Sequence, residues 1–295
     1  MTSHKYKGAI SALATPFLNK SVDYDSLKNL VEFQLKNGIN GFVVNGTTAE
    51  SPTLSWTEVE KMYSLVREIA GTRVPVILGT GSNSTEDTIE KTKKAQQMGA
   101  DAALVVVPYY NKPPQRGLEA HFKAVAESAN IPVILYNVPG RTITSMNLET
   151  TVALSKVKNI FAIKEASGDI SFDEKLKAAL PEEFVMLSGD DPTLIPFLKL
   201  GGSGVISVMS NALTLKCAHW FKLAQENKWS EAEADFANYK EIINLMYIEA
   251  NPIPLKWMLY KMGLFKSPEM RLPMVTLDLQ HHERITVEMK KVGMI

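Results

Sequence analysis

The sequence predicts an α/β chain, a (β/α)8 TIM barrel with a C-terminal helical appendix. Three observations predict it. Eight short apolar runs recur at fairly even intervals up to Ser210, amphipathic stretches separate them, and after Ser210 the pattern turns to helices alone. Eight strand–helix units are what such a barrel needs, whereas a doubly wound sheet usually has fewer strands and a glycine-rich dinucleotide fingerprint in its first turn. The turn after the first run, "FLNKSVD", has no such fingerprint, and "LGTGSNS" around Gly79 and Gly81 lacks the third glycine.

The runs are, in order, "AISALATP" from Ala9, "GFVVNGTT" from Gly41, "VPVILGTGS" from Val74, "AALVVVPYY" from Ala102, "PVILYNVP" from Pro132, "FAIKEASG" from Phe161, "FVMLSGDD" from Phe184 and "GVISVMS" from Gly204. Each is rich in Val, Ile or Leu, too short for a helix, and closed by turn-forming residues, as expected of strands buried on both faces. Between them, "DYDSLKNLVEFQLKNG", "TEVEKMYSLVREIAG", "TEDTIEKTKKAQQMG" and "LEAHFKAVAESAN" carry apolar residues at helical spacing, with Ser, Thr or Asp near the cap of most. The returns "NGINGFVV", "MGADAALVVV" and "LGGSGVISV" each put glycine after a helix, a C-cap signature. The expected division is a barrel over residues 1–210 and a helical extension over 211–295, with "EANPIPLKW" (Glu249 to Trp257) as a proline-restricted hinge.

At 295 residues, 45% hydrophobic and 22% charged, the chain has ample material for a core. Lys plus Arg equals Asp plus Glu at 32 each, so no global field attracts nucleic acid or an anionic membrane. The single Cys217 lies on an apolar helical face, which excludes an intramolecular disulfide and suits a buried thiol in a reducing compartment. With neither a signal-peptide core in "MTSHKYKGAI" nor an apolar run of membrane-spanning length, the expected location is cytoplasmic.

In such barrels the chemistry sits at the C-terminal ends of the strands. The polar residues closing the runs include Thr47, Thr48 and Glu50; Thr80 and Ser82; Tyr109, Tyr110 and Asn111; Tyr136, Asn137 and Arg141; Lys164 and Glu165; Ser188 and Asp190; and Ser207. Lys164 stands out because an ordinary lysine at a strand end is a snorkelling surface charge. Here it ends an apolar run amid hydroxyls and phenols that can carry protons. Strand alternation sets Lys164 on one face with Ala162 and Ile160, and Phe161, Ile163 and Glu165 on the other; the sequence permits either face to point inward. The five histidines, His4, His121, His219, His281 and His282, show no ligand spacing at strand ends, so no metal site is expected. That leaves a lysine as the natural covalent catalyst. An amine attacks a ketone only when neutral, and an ordinary lysine is neutral in roughly one molecule in a thousand near pH 7.4, so this reading needs a buried setting.

Taken together, "GTTAES" at Gly46, "GTGSN" at Gly79, "PYYNKP" at Pro108, "YNVPGRT" at Tyr136, "IKEASG" at Ile163, "LSGDD" at Leu187, "GGSGVISV" at Gly201 and "NPIPLKW" at Asn251 resemble the dihydrodipicolinate synthase branch of the pyruvate-dependent class I aldolases. They run in order along nearly the whole chain. The resemblance implies condensation of pyruvate with L-aspartate 4-semialdehyde, without a cofactor, on the way to diaminopimelate and lysine. It implies a Schiff base on Lys164, proton exchange through Tyr136, and a relay completed by Thr48 and Tyr110 with Thr47 in the relay or at the pyruvate carboxylate. Arg141 would meet the semialdehyde carboxylate, for which a planar guanidinium is suited. Ile206 and Gly189 would line the substrate site. Tyr110 would reach into a neighbouring subunit, making a tight dimer the minimal unit and a homotetramer the common assembly. Sensitive members carry a lysine effector site near Trp56, Asn83, Asp87 and Tyr109, although Trp56 serves equally well as interface packing. N-acetylneuraminate lyase, in the sibling branch, is the first competing activity; its first motif more often reads Ser then Thr, and it lacks the arginine. A catalytically silent homologue is the second alternative, and the intact lysine, tyrosines and threonines argue against it.

Overall fold

The computed structural model describes residues 3–295. Eight parallel strands, β1 (Gly8–Ala12), β2 (Gly41–Val44), β3 (Val76–Gly79), β4 (Ala102–Val106), β5 (Val133–Asn137), β6 (Ile160–Glu165), β7 (Val185–Ser188) and β8 (Gly204–Ser207), follow one another in a closed ring, β1-β8-β7-β6-β5-β4-β3-β2. This is the (β/α)8 barrel. The strands are buried almost throughout, which explains why their sequences show apolar runs rather than alternation.

The helices are α1 (Tyr24–Lys36), α2 (Trp56–Ala70), α3 (Thr85–Gln97), α4 (Gln115–Ser128), α5 (Leu148–Leu154), α6 (Ile170–Ala179), α7 (Leu194–Lys199), α8 (Thr214–Gln225), α9 (Trp229–Leu245), α10 (Ile253–Lys261) and α11 (Leu279–Lys291). Side chains of Asp23, Ser55, Ser84, Asn147, Asp169 and Asp278 accept from backbone amides at six of their N-termini, and Ser55 with Glu58 forms a reciprocal capping box. The glycines of the three expected helix ends, Gly38, Gly99 and Gly201, all have positive φ. One element differs from expectation. The stretch read as a plain turn after the first run contains an antiparallel hairpin, Phe17–Leu18 with Ser21–Val22, turning through Asn19 and Lys20 at φ 52° and 67°. A lysine is not a residue that advertises such a turn, so its signal in the sequence is weak.

The chain divides into two compact units. One comprises Pro75–Ile206 with the N-terminal residues through Lys7. Its strands pair side by side: Leu78 faces Ala103, Leu104 faces Ile134, Leu135 faces Ile163, and Ile163 faces Met186. Phe122, Phe197 and Leu118 from the covering helices are fully buried.

The other unit comprises Gly8–Val74 and Ser207–Ile295. Within it the C-terminal residues are bound to the first strand: Asn211 Oδ1 accepts from Ala14 N at 3.1 Å, and its Nδ2 donates to Ala12 O at 2.9 Å. Trp220 is wholly buried between the rings of Phe236 and Tyr239, and its indole donates to Asp235 at 2.7 Å. Cys217 is buried, as its apolar setting suggests. Among the described residues no helix is long and apolar enough to cross a membrane.

Candidate active site

At their C-terminal ends β5 and β6 pair residue for residue, Tyr136 beside Lys164 and Asn137 beside Glu165. In-register neighbours of a parallel sheet point the same way, so Tyr136 and Lys164 share one face while Asn137 and Glu165 share the other. Lys164 Nζ lies 4.1 Å from the centroid of the Tyr136 ring, and each residue is only 6% exposed. Leu187 of β7 is the neighbour of Lys164 on its other side, and two residues on is Gly189. A Cβ on Gly189 would sit 2.7 Å from Lys164 Cε and 3.1 Å from its Cγ. The lysine stem therefore crosses residue 189, and only glycine leaves it the room.

Strict alternation puts Ile160, Ala162 and Lys164 together, but the register slips between Val133 and Ile134, which face Ile160 and Ala162 respectively. Phe161 is the extra residue of a bulge, half-buried with its ring 4.7 Å from that of Tyr6. Alternation holds from Ala162 to Glu165 and fails below it.

On the opposite face Glu165 is buried and accepts from Asn137 Nδ2 at 2.8 Å and from Ser167 N at 2.7 Å. Asn137 Oδ1 in turn accepts from Met146 N at 3.0 Å, which ties the ends of both strands to the following loop. Burial raises the Glu165 pKa against these hydrogen bonds. Asp173 of α6 is raised further, to about 7, by burial and then by the negative charges of Glu165, Asp169 and Asp190. Asp173 reads in the sequence as an ordinary helix residue, so this acidic group beneath the lysine strand is not foreseen there. Among the described residues no group of three or more His, Cys, Asp or Glu could hold a metal ion.

The other expected site residues of this unit come from the loops and strands around it. Arg141 is exposed on a single helical turn, Pro139–Thr142, whose closing hydroxyl, Thr142 Oγ1, donates to Val138 O. Tyr110 is 87% exposed with φ 72°, a left-handed backbone unusual for a bulky residue. Ile206 is buried in β8. Of the effector residues, Asn83 O accepts from Asn111 Nδ2 at 2.8 Å, Tyr109, two residues before Asn111, is exposed, and Asp87 pairs with Lys91 at 2.7 Å. Several strand-end hydroxyls prove to be braces: Thr80 bonds Thr92 at 2.9 Å, and Ser188 Oγ accepts from Asp190 N.

In the other unit the chain leaves β2 through two 3-10 turns, Thr47–Ala49 and Ser51–Thr53, joined at Glu50 with φ 57°. Thr47 is half-buried and Thr48 buried. Thr48 Oγ1 accepts from Asn251 Nδ2 at 3.0 Å. Glu50 Oε1 accepts from Lys256 Nζ at 2.6 Å, and its Oε2 from Arg271 N at 3.0 Å. Lys256 has no exposed surface, and its amine lies 4.2 Å from the centroid of the Phe17 ring. Burial pulls its pKa down to about 8, with Glu50 acting against it. The Arg271 guanidinium also bridges to Glu58. The sequence reads "EANPIPLKW" as a hinge and does not show that its asparagine and lysine, Asn251 and Lys256, both grip the turn that carries Thr48 and Glu50. Trp56, half-buried, is the first residue of α2.

Comparison with known proteins places the chain in a family. Residues 5–292 match the model of the dihydrodipicolinate synthetase family. A protein of Bdellovibrio bacteriovorus named 4-hydroxy-tetrahydrodipicolinate synthase is 52% identical over 290 residues, 98% of this chain and 99% of its own. Among solved structures, the chloride-inhibited dihydrodipicolinate synthase of Acinetobacter baumannii complexed with pyruvate is 41% identical, with a TM-score of 0.95 over 98% of this chain and 99% of that one. The dihydrodipicolinate synthase of Thermotoga maritima is 36% identical, with a TM-score of 0.97 over 99% and 100%. Similarity of this extent, end to end in both sequence and fold, shows that the chain belongs to the dihydrodipicolinate synthetase family.

Proposed function

We infer that the chain is a class I, Schiff-base-forming lyase that condenses pyruvate with L-aspartate 4-semialdehyde to 4-hydroxy-tetrahydrodipicolinate, in diaminopimelate and lysine biosynthesis. The observation that carries the mechanism is the buried Lys164 amine 4.1 Å from the Tyr136 ring centroid, on a shared face of the sheet. The amine attacks the pyruvate carbonyl carbon; the carbinolamine takes up a proton and expels water, leaving a protonated imine. Loss of a methyl proton gives the enamine, whose terminal carbon attacks the aldehyde while the aldehyde oxygen gains a proton. Each step moves a proton near the lysine nitrogen, which is the work a neighbouring phenol can do.

In this reading Tyr136 carries those protons, with Thr48 and Tyr110 in the relay and Thr47 in it or at the pyruvate carboxylate. Arg141, exposed on its helical turn, is accessible to the carboxylate of the second substrate. Ile206 and Gly189 line the substrate site, and the apolar β8 position and the side-chain-free backbone beside Lys164 support that. The exposure of Tyr110 supports its acting in a neighbouring subunit, so we read the enzyme as a tight homodimer, assembled as a homotetramer in the cytoplasm. Trp56, Asn83, Asp87 and Tyr109 are the group to vary if lysine inhibits. The division into a barrel of residues 1–210 and a helical extension of 211–295 is part of the same proposal.

Borohydride added with pyruvate should attach a reduced adduct to Lys164, seen by peptide mass. Purified protein should turn over pyruvate with aspartate semialdehyde and leave N-acetylneuraminate untouched. An adduct elsewhere, or cleavage of the sugar acid instead, would reject this reading.

A further inference from the structure

The proposed chemistry gives Thr48 a part in proton transfer but says nothing of what aims its hydroxyl. A hydroxyl has one hydrogen to give, and an amide NH2 can donate but not accept. Because Thr48 Oγ1 accepts from Asn251 Nδ2 at 3.0 Å, its own hydrogen is left for another partner. Both residues are buried, where a competing water cannot easily reset the arrangement. Asn251 immediately precedes Pro252, the cap of α10, and α10 also carries Lys256, which binds Glu50 two residues beyond Thr48. The helix and the residue just ahead of its cap thus hold the turn at two points. Arg271 N adds a third hold on the same carboxylate.

We propose that Asn251 is a positioning residue for the reaction: its amide occupies one lone pair of the Thr48 oxygen, which aims the hydroxyl hydrogen at the next member of the relay and leaves the second lone pair to take a proton in return, while the Lys256–Glu50 pair keeps the turn in place. The proposal rests on the functional reading above, which supplies the role of Thr48. It gives the segment from Asn251 to Lys256 a task in catalysis although neither side chain touches substrate.

The test is a cycle of Asn251→Asp, Thr48→Val and the double variant, each followed by kcat, KM for pyruvate, pH profile and thermal unfolding. At pH 8 the introduced carboxylate can only accept and draws the Thr48 hydrogen to itself. We expect kcat to fall about tenfold or more with KM for pyruvate nearly unchanged, as for loss of an interaction that matters only in proton transfer. Towards pH 5 the new carboxyl takes up a proton and can donate again, so the ratio of variant to wild-type kcat should climb. The double variant should be no slower than Thr48→Val alone, because Asn251 acts only through that hydroxyl. Repeating the cycle with Asn251→Ala, smaller and neutral, keeps the test decisive if the aspartate variant does not fold. Wild-type kcat in Asn251→Asp, a loss that ignores pH, or additive losses in the double variant would overturn the proposal while leaving the overall function standing. A wild-type chain that fails to turn over pyruvate with the semialdehyde would instead reject the functional reading and this inference together.

Discussion

At the scale of single residues, the two faces of the β6 end do opposite electrostatic work. One face carries the Lys164 amine, and the other carries the Glu165 carboxylate with Asp173 nearby on α6. Asp173 is nearly inaccessible, and its pKa is raised to about 7 against an ordinary 3.8. The sign of the consequence is fixed by linkage. Between these values the folded state holds a proton that the unfolded state has lost, so stability falls as pH rises through that window, and the whole penalty stands above pH 7. Asp173→Asn removes the ionisation and keeps the shape. We expect it to stabilise the protein at pH 8 by roughly 1–4 kcal/mol, since each tenfold change in proton affinity on folding is worth about 1.4 kcal/mol and solvent screening sets the lower figure. At pH 4 the gain should all but vanish. Denaturant unfolding at the two pH values checks this, and an equal gain at both would remove ionisation as the cause.

At the scale of elements, the buried Lys256–Glu50 pair joins α10 to the turn after β2. Removing one partner leaves the other charge stranded, which costs about 3–5 kcal/mol, whereas neutralising both avoids much of that. Lys256→Met should therefore be strongly destabilising in denaturant melts, and adding Glu50→Gln should recover part of the loss; additive losses would contradict the coupling. The pair also marks where sequence reasoning stops. The eight runs read correctly as strands because burial on both faces writes itself as uninterrupted Val, Ile and Leu, and the caps read correctly because Ser and Asp side chains act locally. The Lys164 strand is legible as an element, and its motif points to the residue. The Phe161 bulge is not, because it depends on the register chosen by β5. Nor is the grip of Asn251 and Lys256 on Thr48 and Glu50, since partners some two hundred positions apart leave no periodicity to find. Lys256 looks like any other surface lysine until its neighbours in space are known.

At the scale of the whole molecule, the question is how many chains complete one site. Lys164 and Tyr136 are buried together within one chain, whereas Tyr110 projects at 87% exposure from a left-handed backbone position. A phenol so exposed cannot be shielded from water by its own chain, yet a proton relay works best with water kept out. Under the proposed reading Tyr110 would act in a neighbouring subunit, and assembly would bury it. The reading makes a prediction that no single-chain site can satisfy. Lys164→Ala and Tyr110→Phe should each be nearly inactive as pure proteins. In a mixed dimer, the Tyr110→Phe chain retains its own Lys164 and receives an intact Tyr110 from the other chain. Random reassociation of equal amounts gives half mixed dimers, each with one competent site of two, so about one quarter of wild-type activity should return. Activity should rise on dissociating and reassociating the two inactive proteins together, and not when each is treated alone. If no activity returns although mixed dimers form, as seen by native mass spectrometry, Tyr110 serves its own chain and the dimer is not the unit of catalysis.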